Sequence, residues 1–245
     1  MSHTPLHRAI VTGGTRGIGY AIAQAIVASG GHVMITGLTP SRVTKAVASL
    51  QAAAPAGSGA RVEGAAVDVR DRAAVDRLVA DAVHKLGGVN VLVNNAGVGA
   101  FADVAAMSDD DWARTIDTNL TGVFYCTRAA LPALKQARGA WVINIASLAG
   151  RNSFARGAAY CASKAGLIAF TESLMLEVRY DDIRVSVVMP GSVATEFNGD
   201  MAADDDEWKL SGDDVAEVVM DLLRHPGRSL PSRVEIRPSK PKKKG

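Results

Sequence analysis

Thr12-Gly13-Gly14-Thr15-Arg16-Gly17-Ile18-Gly19 is the stretch that decides how this chain folds. In front of it, Ala9-Ile10-Val11 is a short apolar run of the kind that makes a buried parallel strand. Behind it, Ile18, Ala21, Ile22, Ala25 and Ile26 recur at helical spacing. The glycines therefore sit between a strand and a helix, which is the context a nucleotide-binding turn requires. Glycine permits the tight turn and lets main chain approach a pyrophosphate, which the helix N-terminus attracts. The spacing is Gly-x-x-x-Gly-x-Gly rather than Gly-x-Gly-x-x-Gly, and a glycine-rich turn without a ligand is the plain alternative.

Outward from this turn, strand and helix patterns alternate. Strands are expected at Ala9–Thr12, His32–Thr36, Arg61–Val67, Val89–Asn94, Ala140–Ala146, Arg184–Met189 and Val234–Ile236. Helices are expected at Gly17–Ser29, Ser41–Ala53, Arg72–Lys85, Asp109–Lys135, Gly157–Tyr180 and Asp213–Leu223. Ser41, Asp71 and Ser108 suit N-caps, and Asp213 and Asp214 suit the first turn of the last helix. Such alternation predicts an α/β fold, a parallel sheet covered by helices on both faces. It continues through the Ala54–Gly59 loop, so 1–238 is read as one domain without repeats.

Composition narrows the function. The 245 residues are 48% hydrophobic, enough for one sizeable core. A net charge of +2 gives no reason to expect nucleic acid or an anionic membrane as partner. Two cysteines, Cys126 and Cys161, make no disulfide framework and read as packing. Met1 to Arg8 lacks a signal-peptide apolar run, and no apolar stretch is long enough for a membrane span. A cytoplasmic location is the expectation, and no metal site is expected.

Tyr160 and Lys164 are four residues apart on an expected helix, hence on one face. An ammonium beside a phenol favours the phenolate, so the expectation is a Tyr160 pKa lowered from its usual ~10 and usable in proton transfer. Ser147 lies upstream. Singly, each has a bland reading: Ser147 as a strand-end cap, Tyr160 as packing, Lys164 as a solvated charge.

The ordered set Thr12–Gly19, Asp68-Val69, Asn94-Asn95-Ala96-Gly97, Asn119, Ser147, Tyr160, Lys164 and Pro190-Gly191 resembles the short-chain dehydrogenase/reductase family over nearly the whole chain. Ser147 stands thirteen positions before Tyr160, the family's usual interval. The resemblance implies a Rossmann-type doubly wound seven-stranded parallel sheet in the order 3-2-1-4-5-6-7. It implies an NAD(P)-dependent oxidoreductase that interconverts a carbonyl and a secondary alcohol. The cofactor residues it implies are Gly13, Thr15, Arg16, Gly17, Ile18 and Gly19 at the pyrophosphate. Asp68 and Val69 would serve at the adenine, and Asn95, Ala96 and Gly97 at the close approach after strand four. Pro190, Gly191, Val193 and Thr195 would serve around the nicotinamide, with Tyr160 and Lys164 on its ribose side. It implies Tyr160 as acid/base, Lys164 as the group that lowers its pKa, and Ser147 as donor to the substrate oxygen. Asn119 would bend its helix and hold a water that links Lys164 to solvent.

An acid at the end of strand two normally holds the unphosphorylated ribose. Here Ile35-Thr36-Gly37-Leu38-Thr39 has none, and Arg16, Thr39, Ser41 and Arg42 are placed to meet a 2′-phosphate. NADP(H) is therefore expected over NAD(H). Leu38 departs from the arginine that NADP-preferring relatives often carry.

For the small-molecule substrate, Thr195 to Ser211 would close the pocket, with Val98, Phe154, Phe197 and Trp208 as lining candidates. The acids of that segment read either as a solvated face or as part of a short lid. Arg151 and Arg156 would attract a carboxylate or serve as surface charge. A 3-oxoacyl thioester reductase, a 3-hydroxy-acid or sugar-alcohol dehydrogenase and, outside catalysis, an NADP-binding sensor all remain open. The ending Ser232–Pro238 lies closer to relatives of broader carbonyl or hydroxy-acid specificity, and 239–245 reads as a disordered basic tail. The resemblance also implies a homotetramer or homodimer paired through the two long helices.

Overall fold

A computed structural model describes residues 6–195 and 207–241. The expected pocket segment from Glu196 to Asp206, Phe197 included, and Lys242 to Lys244 of the tail lie outside these described residues.

Seven strands, β1 (Arg8–Val11), β2 (His32–Gly37), β3 (Val62–Ala66), β4 (Val91–Asn94), β5 (Ala140–Ile145), β6 (Ile183–Pro190) and β7 (Arg233–Ile236), form one sheet. Its order is β3-β2-β1-β4-β5-β6-β7, and every neighbouring pair is parallel. Among the described residues, seven α-helices connect them: α1 (Gly17–Ala28), α2 (Pro40–Ala52), α3 (Arg72–Leu86), α4 (Asp109–Ile116), α5 (Gly122–Gln136), α6 (Ala158–Val178) and α7 (Gly212–Arg224).

The strands read as continuous apolar runs because both faces are covered, and alternate side chains enter different cores. Ala9, Val11, Val33, Ile35, Val91, Val93 and Ile143 pack with α1, α2 and α7. Ile10, Met34, Leu92, Val142 and Val185 pack with α3, α5 and α6. A fully buried Ile or Leu contributes roughly 1.5–3 kcal/mol, so two such cores hold the sheet from both sides.

The caps separate expectation from outcome. Asp71 and Ser108 accept hydrogen bonds from Ala74 N and Asp111 N, as N-caps do. Ser41 does not cap: the N-cap of helix α2 lies two residues earlier, at Thr39, with Pro40 in its first turn. Proline fixes the helical φ and forgoes an N–H that would be unpaired there, so it outweighs the serine. Ser211 and Asp214 form a reciprocal capping box on α7 that the sequence reading did not single out.

The expected helix Asp109–Lys135 is two helices. Between α4 and α5, Asp117–Thr121 winds as a wider π turn, with Gly122 N bonded to Asp117 O. One residue more per turn rotates Asn119 off the helix surface and into full burial.

Candidate active site

The carboxyl ends of β1, β3, β4, β5 and β6 open into a cleft of about 460 Å³. At one end of it is the glycine turn. Gly13 has φ +65°, and a Cβ there would stand 2.9 Å from Ala96 Cα. A Cβ on Gly19 would stand 2.4 Å from both Asn95 Nδ2 and Gly13 O. The glycines thus allow β1 and β4 loops to interlock. Asn95 Nδ2 donates to Thr12 O at 3.0 Å and Gly13 O at 3.1 Å. Thr12 Oγ1 accepts from Asn95 N and Ala96 N, both at 3.0 Å. The Asn95 amide is therefore spent on the turn, and it is the Asn95-Ala96-Gly97 main chain that borders the cleft.

The wall at this end is formed by Gly13, Thr15, Arg16, Gly17 and Ile18, with Thr36, Leu38, Thr39 and Arg42 further out. Ser41 does not border it. Gly19 lies beneath the turn, where it permits the interlock. Asp68 and Val69 border the far wall. Arg70 grips the Asp68 carboxylate: Nη2 lies 2.6 Å from Oδ2, and Nε lies 3.0 Å from both oxygens. This fork holds the Asp68 carboxyl below its ordinary pKa. Arg70 was not anticipated, although its place two residues after Asp68 in a loop was visible.

The other end brings together Ser147, Tyr160 and Lys164. Ser147 Oγ accepts from Ala149 N at 3.1 Å, the cap role weighed from sequence, and its hydroxyl favours the phenolate form of Tyr160. Lys164 Nζ is buried, donates to Ile145 O at 2.9 Å and lies 5.8 Å from the Tyr160 ring centre. Burial brings the Lys164 pKa down to about 8. Tyr160 goes against expectation: its pKa is raised, because loss of water outweighs the Ser147 hydrogen bond that favours the phenolate. The lysine amine is held by a main-chain carbonyl, which takes one of its three donors away from the ring.

Asn119 stands behind the cleft, fully buried. Its Oδ1 accepts from Val98 N and its Nδ2 donates to Val98 O, each at 2.8 Å, and Nδ2 also donates to Ser163 Oγ at 2.9 Å. Ser163 Oγ in turn donates to Tyr160 O at 2.8 Å. Ser163 was missed; its place one residue before Lys164 on α6 was the available signal. A Cβ on Gly97 would stand 3.3 Å from Asn119 Oδ1 and 3.6 Å from Lys164 Nζ, so glycine keeps this floor open.

Pro190, Gly191, Val193 and Thr195 complete the wall after β6. Gly191 N donates to Ile236 O at 2.8 Å, which ties that wall to β7. Val98 borders the cleft, whereas Phe154 and Trp208 do not. Arg151 pairs with Glu235, which also takes Arg237 at 2.8 Å, so Arg151 is committed to β7. Phe101, not anticipated, meets the Tyr160 ring edge-on at 5.7 Å.

A doubly wound sheet with a glycine turn at its switch point and a Ser–Tyr–Lys group at the same mouth defines a nicotinamide-dinucleotide oxidoreductase. Residues 7–206 match the short chain dehydrogenase family, and the chain belongs to that family. It is 38% identical to a 3-oxoacyl-(acyl-carrier-protein) reductase of Chlamydia pneumoniae, over 78% of this chain and 75% of that protein. It is 35% identical to a D-beta-hydroxybutyrate dehydrogenase of Cupriavidus necator, over 76% of this chain and 70% of that one. Among solved structures, a metagenomic short-chain oxidoreductase in complex with NADP aligns with TM-score 0.82 at 35% identity, covering 96% and 99% of the two chains. The protein is an oxidoreductase of this family, acting on a carbonyl or CH–OH group with a nicotinamide cofactor. No helix of the described residues is long and apolar enough to cross a membrane.

Proposed function

We propose that this protein reduces a small-molecule carbonyl to a secondary alcohol with NADPH, and that Tyr160, Ser147, Lys164 and Asn119 carry the proton side of the reaction. The observation behind this is that Ser147, Tyr160 and Lys164 line the same cleft as the glycine turn. Bound NADPH would supply the hydride. Gly13, Thr15 to Ile18, Asn95 to Gly97, Pro190, Gly191, Val193 and Thr195 would hold it, and the glycines among them leave main chain without a side chain along the cleft.

Ser147, its oxygen fixed by Ala149 N–H, donates to the substrate oxygen as negative charge builds there. Tyr160 gives that oxygen its proton. A raised pKa keeps the phenol protonated at neutral pH, the form a reductase requires. Lys164, with a pKa of about 8, is mostly charged at neutral pH and attracts the proton-depleted tyrosine. Asn119 holds Val98 and Ser163 and, through a water as the family resemblance implies, would return a proton to Lys164.

Preference for NADPH rests on Arg16 and Arg42 bordering the cleft beside Thr39, with no acid at the end of β2. Reduction of a 3-oxoacyl thioester is the second reading, favoured by likeness to the Chlamydia reductase. We also propose a homodimer or homotetramer, one domain over 1–238 with a solvated tail at 239–245, and a cytoplasmic location. The outer faces of α5 and α6 carry the exposed Phe124 and Leu176, and the exposed Tyr180 follows in the turn after α6, as a helix-pairing surface would. Sedimentation as a monomer at micromolar concentration would remove the oligomer.

Loss of NADPH absorbance with an acetoacetyl thioester, a β-keto ester, a diketone and a keto acid, with NADH in parallel, tests the function. Turnover that falls about 10²–10⁴-fold in Tyr160→Phe supports it. Full turnover in that variant overturns the assignment of Tyr160.

A further inference from the structure

Phe154, Phe101 and Tyr160 form a ladder of rings. Phe101 and Phe154 are 5.9 Å apart between centres, and Phe101 and Tyr160 are 5.7 Å apart at an interplanar angle of 65°. Both distances lie in the range of favourable aromatic pairs. The ladder is fixed from below. Ala102 N donates to Arg156 O at 3.0 Å, joining the loop after β4 to the loop before α6. Arg156 takes φ +68°, a conformation that costs a non-glycine residue energy and persists where its surroundings impose it. A Cβ on Gly157 would stand 2.6 Å from the Phe154 ring, so glycine is what lets that ring lie on the start of α6. Yet Phe101 is 39% and Phe154 49% exposed. Two ordered aromatic rings are thus held half in solvent beside the group that transfers the proton, with Val98 of the cleft on the same loop as Phe101. The neighbouring cation Arg151 is turned towards Glu235, a partner it shares with Arg237.

We infer that Phe101 and Phe154, which lie outside the cleft's own lining and reach it through the contact of Phe101 with Tyr160, extend it into a substrate-selecting wall, and that the carbonyl it takes carries an aromatic group. The substituent lies along the two rings while the carbonyl oxygen reaches Tyr160 and Ser147, so the wall sets which ketone is oriented for hydride arrival. This rests on the reductase reading above. It favours an aryl ketone over a short aliphatic ketone or a short keto acid, because water leaves both ring faces only when an aryl group covers them.

The test is initial-rate kinetics with NADPH on acetophenone, butanone and pyruvate, using the wild type, Phe101→Leu and Phe154→Leu. Leucine keeps the site apolar but removes the ring. NADPH fluorescence reports whether each variant is folded. Acetophenone binding to the NADP-loaded protein is followed in parallel by saturation-transfer NMR. The expected result is a kcat/KM for acetophenone at least about ten-fold above that for butanone, and a ratio that falls by about ten-fold in either variant. A ratio near one, a ratio the variants leave alone, or a preference for pyruvate would overturn the inference and leave the reductase reading standing. No turnover of any carbonyl, with acetophenone binding that weakens in both variants, would remove the reductase reading and keep the aromatic site. Neither turnover nor binding would remove both.

Discussion

Asn119 Nδ2 donates to Ser163 Oγ at 2.9 Å, and that same oxygen donates to the carbonyl of Tyr160 at 2.8 Å. A serine thus links the π turn before α5 to the main chain of Tyr160, the proposed proton donor. Ser163 and Asn119 are both fully buried, so neither partner has water to fall back on. Ser163→Ala would strand one Asn119 donor, at a cost of about 1–3 kcal/mol, which lowers Tm by roughly 2–10 °C. The variant should also lower kcat while leaving the KM for NADPH unchanged. A drop in Tm with wild-type kcat would make Ser163 a packing residue only.

The raised Tyr160 pKa makes the two directions differ with pH. Reduction uses the phenol, which prevails across neutral pH, so its kcat/KM should be flat from pH 6 to about pH 8. Alcohol oxidation uses the phenolate, whose fraction rises ten-fold per pH unit below the pKa, so oxidation should climb steeply over the same range. Initial rates in both directions on one enzyme sample would check this. A flat oxidation profile would mean that another group is the base.

Lys164 gives a stability prediction with a defined sign. Its folded pKa is about 8, below that of a lysine in an unfolded chain. Between those values the unfolded state holds one more proton, so this residue makes stability rise with pH across the window from about pH 8 towards the ordinary lysine value. Urea midpoints at pH 7 and pH 9.5 should show that rise in the wild type, and it should shrink in Lys164→Met. An equal rise in both would assign it to other groups.

Arg16 borders the cleft where the 2′-phosphate of NADP would lie, and Leu38, 68% exposed, stands beside it at the end of β2. Arg16→Ala should raise the Kd for NADPH about 10–100-fold and leave NADH nearly unchanged. Leu38→Arg should strengthen NADPH binding, the more so at low salt. Fluorescence titrations with both cofactors at two salt concentrations would decide. Equal losses for NADPH and NADH in Arg16→Ala would place Arg16 on the shared pyrophosphate instead.

The glycine turn, the strand–helix alternation and the order of Asp68, Asn95, Ser147, Tyr160 and Lys164 were legible in the chain itself. Each depends on local rules: a period of two or of 3.6, a turn that only glycine allows, a cap residue at a helix start. These rules fixed the sheet and the residues at its carboxyl ends. They failed where one local preference met another, as at Ser41 against Pro40. They were silent where partners are far apart in sequence. The π turn at Asn119 follows from a buried amide serving Val98 and Ser163, Arg70 closes on Asp68 only because their loop folds back, and Phe101 meets Tyr160 across two loops. The sign of the Tyr160 shift belongs to this second group. The sequence placed a lysine four residues away and argued for a lowered pKa. Only the packed structure showed how much water the ring loses and where the lysine amine is held, and burial then outweighed the charge.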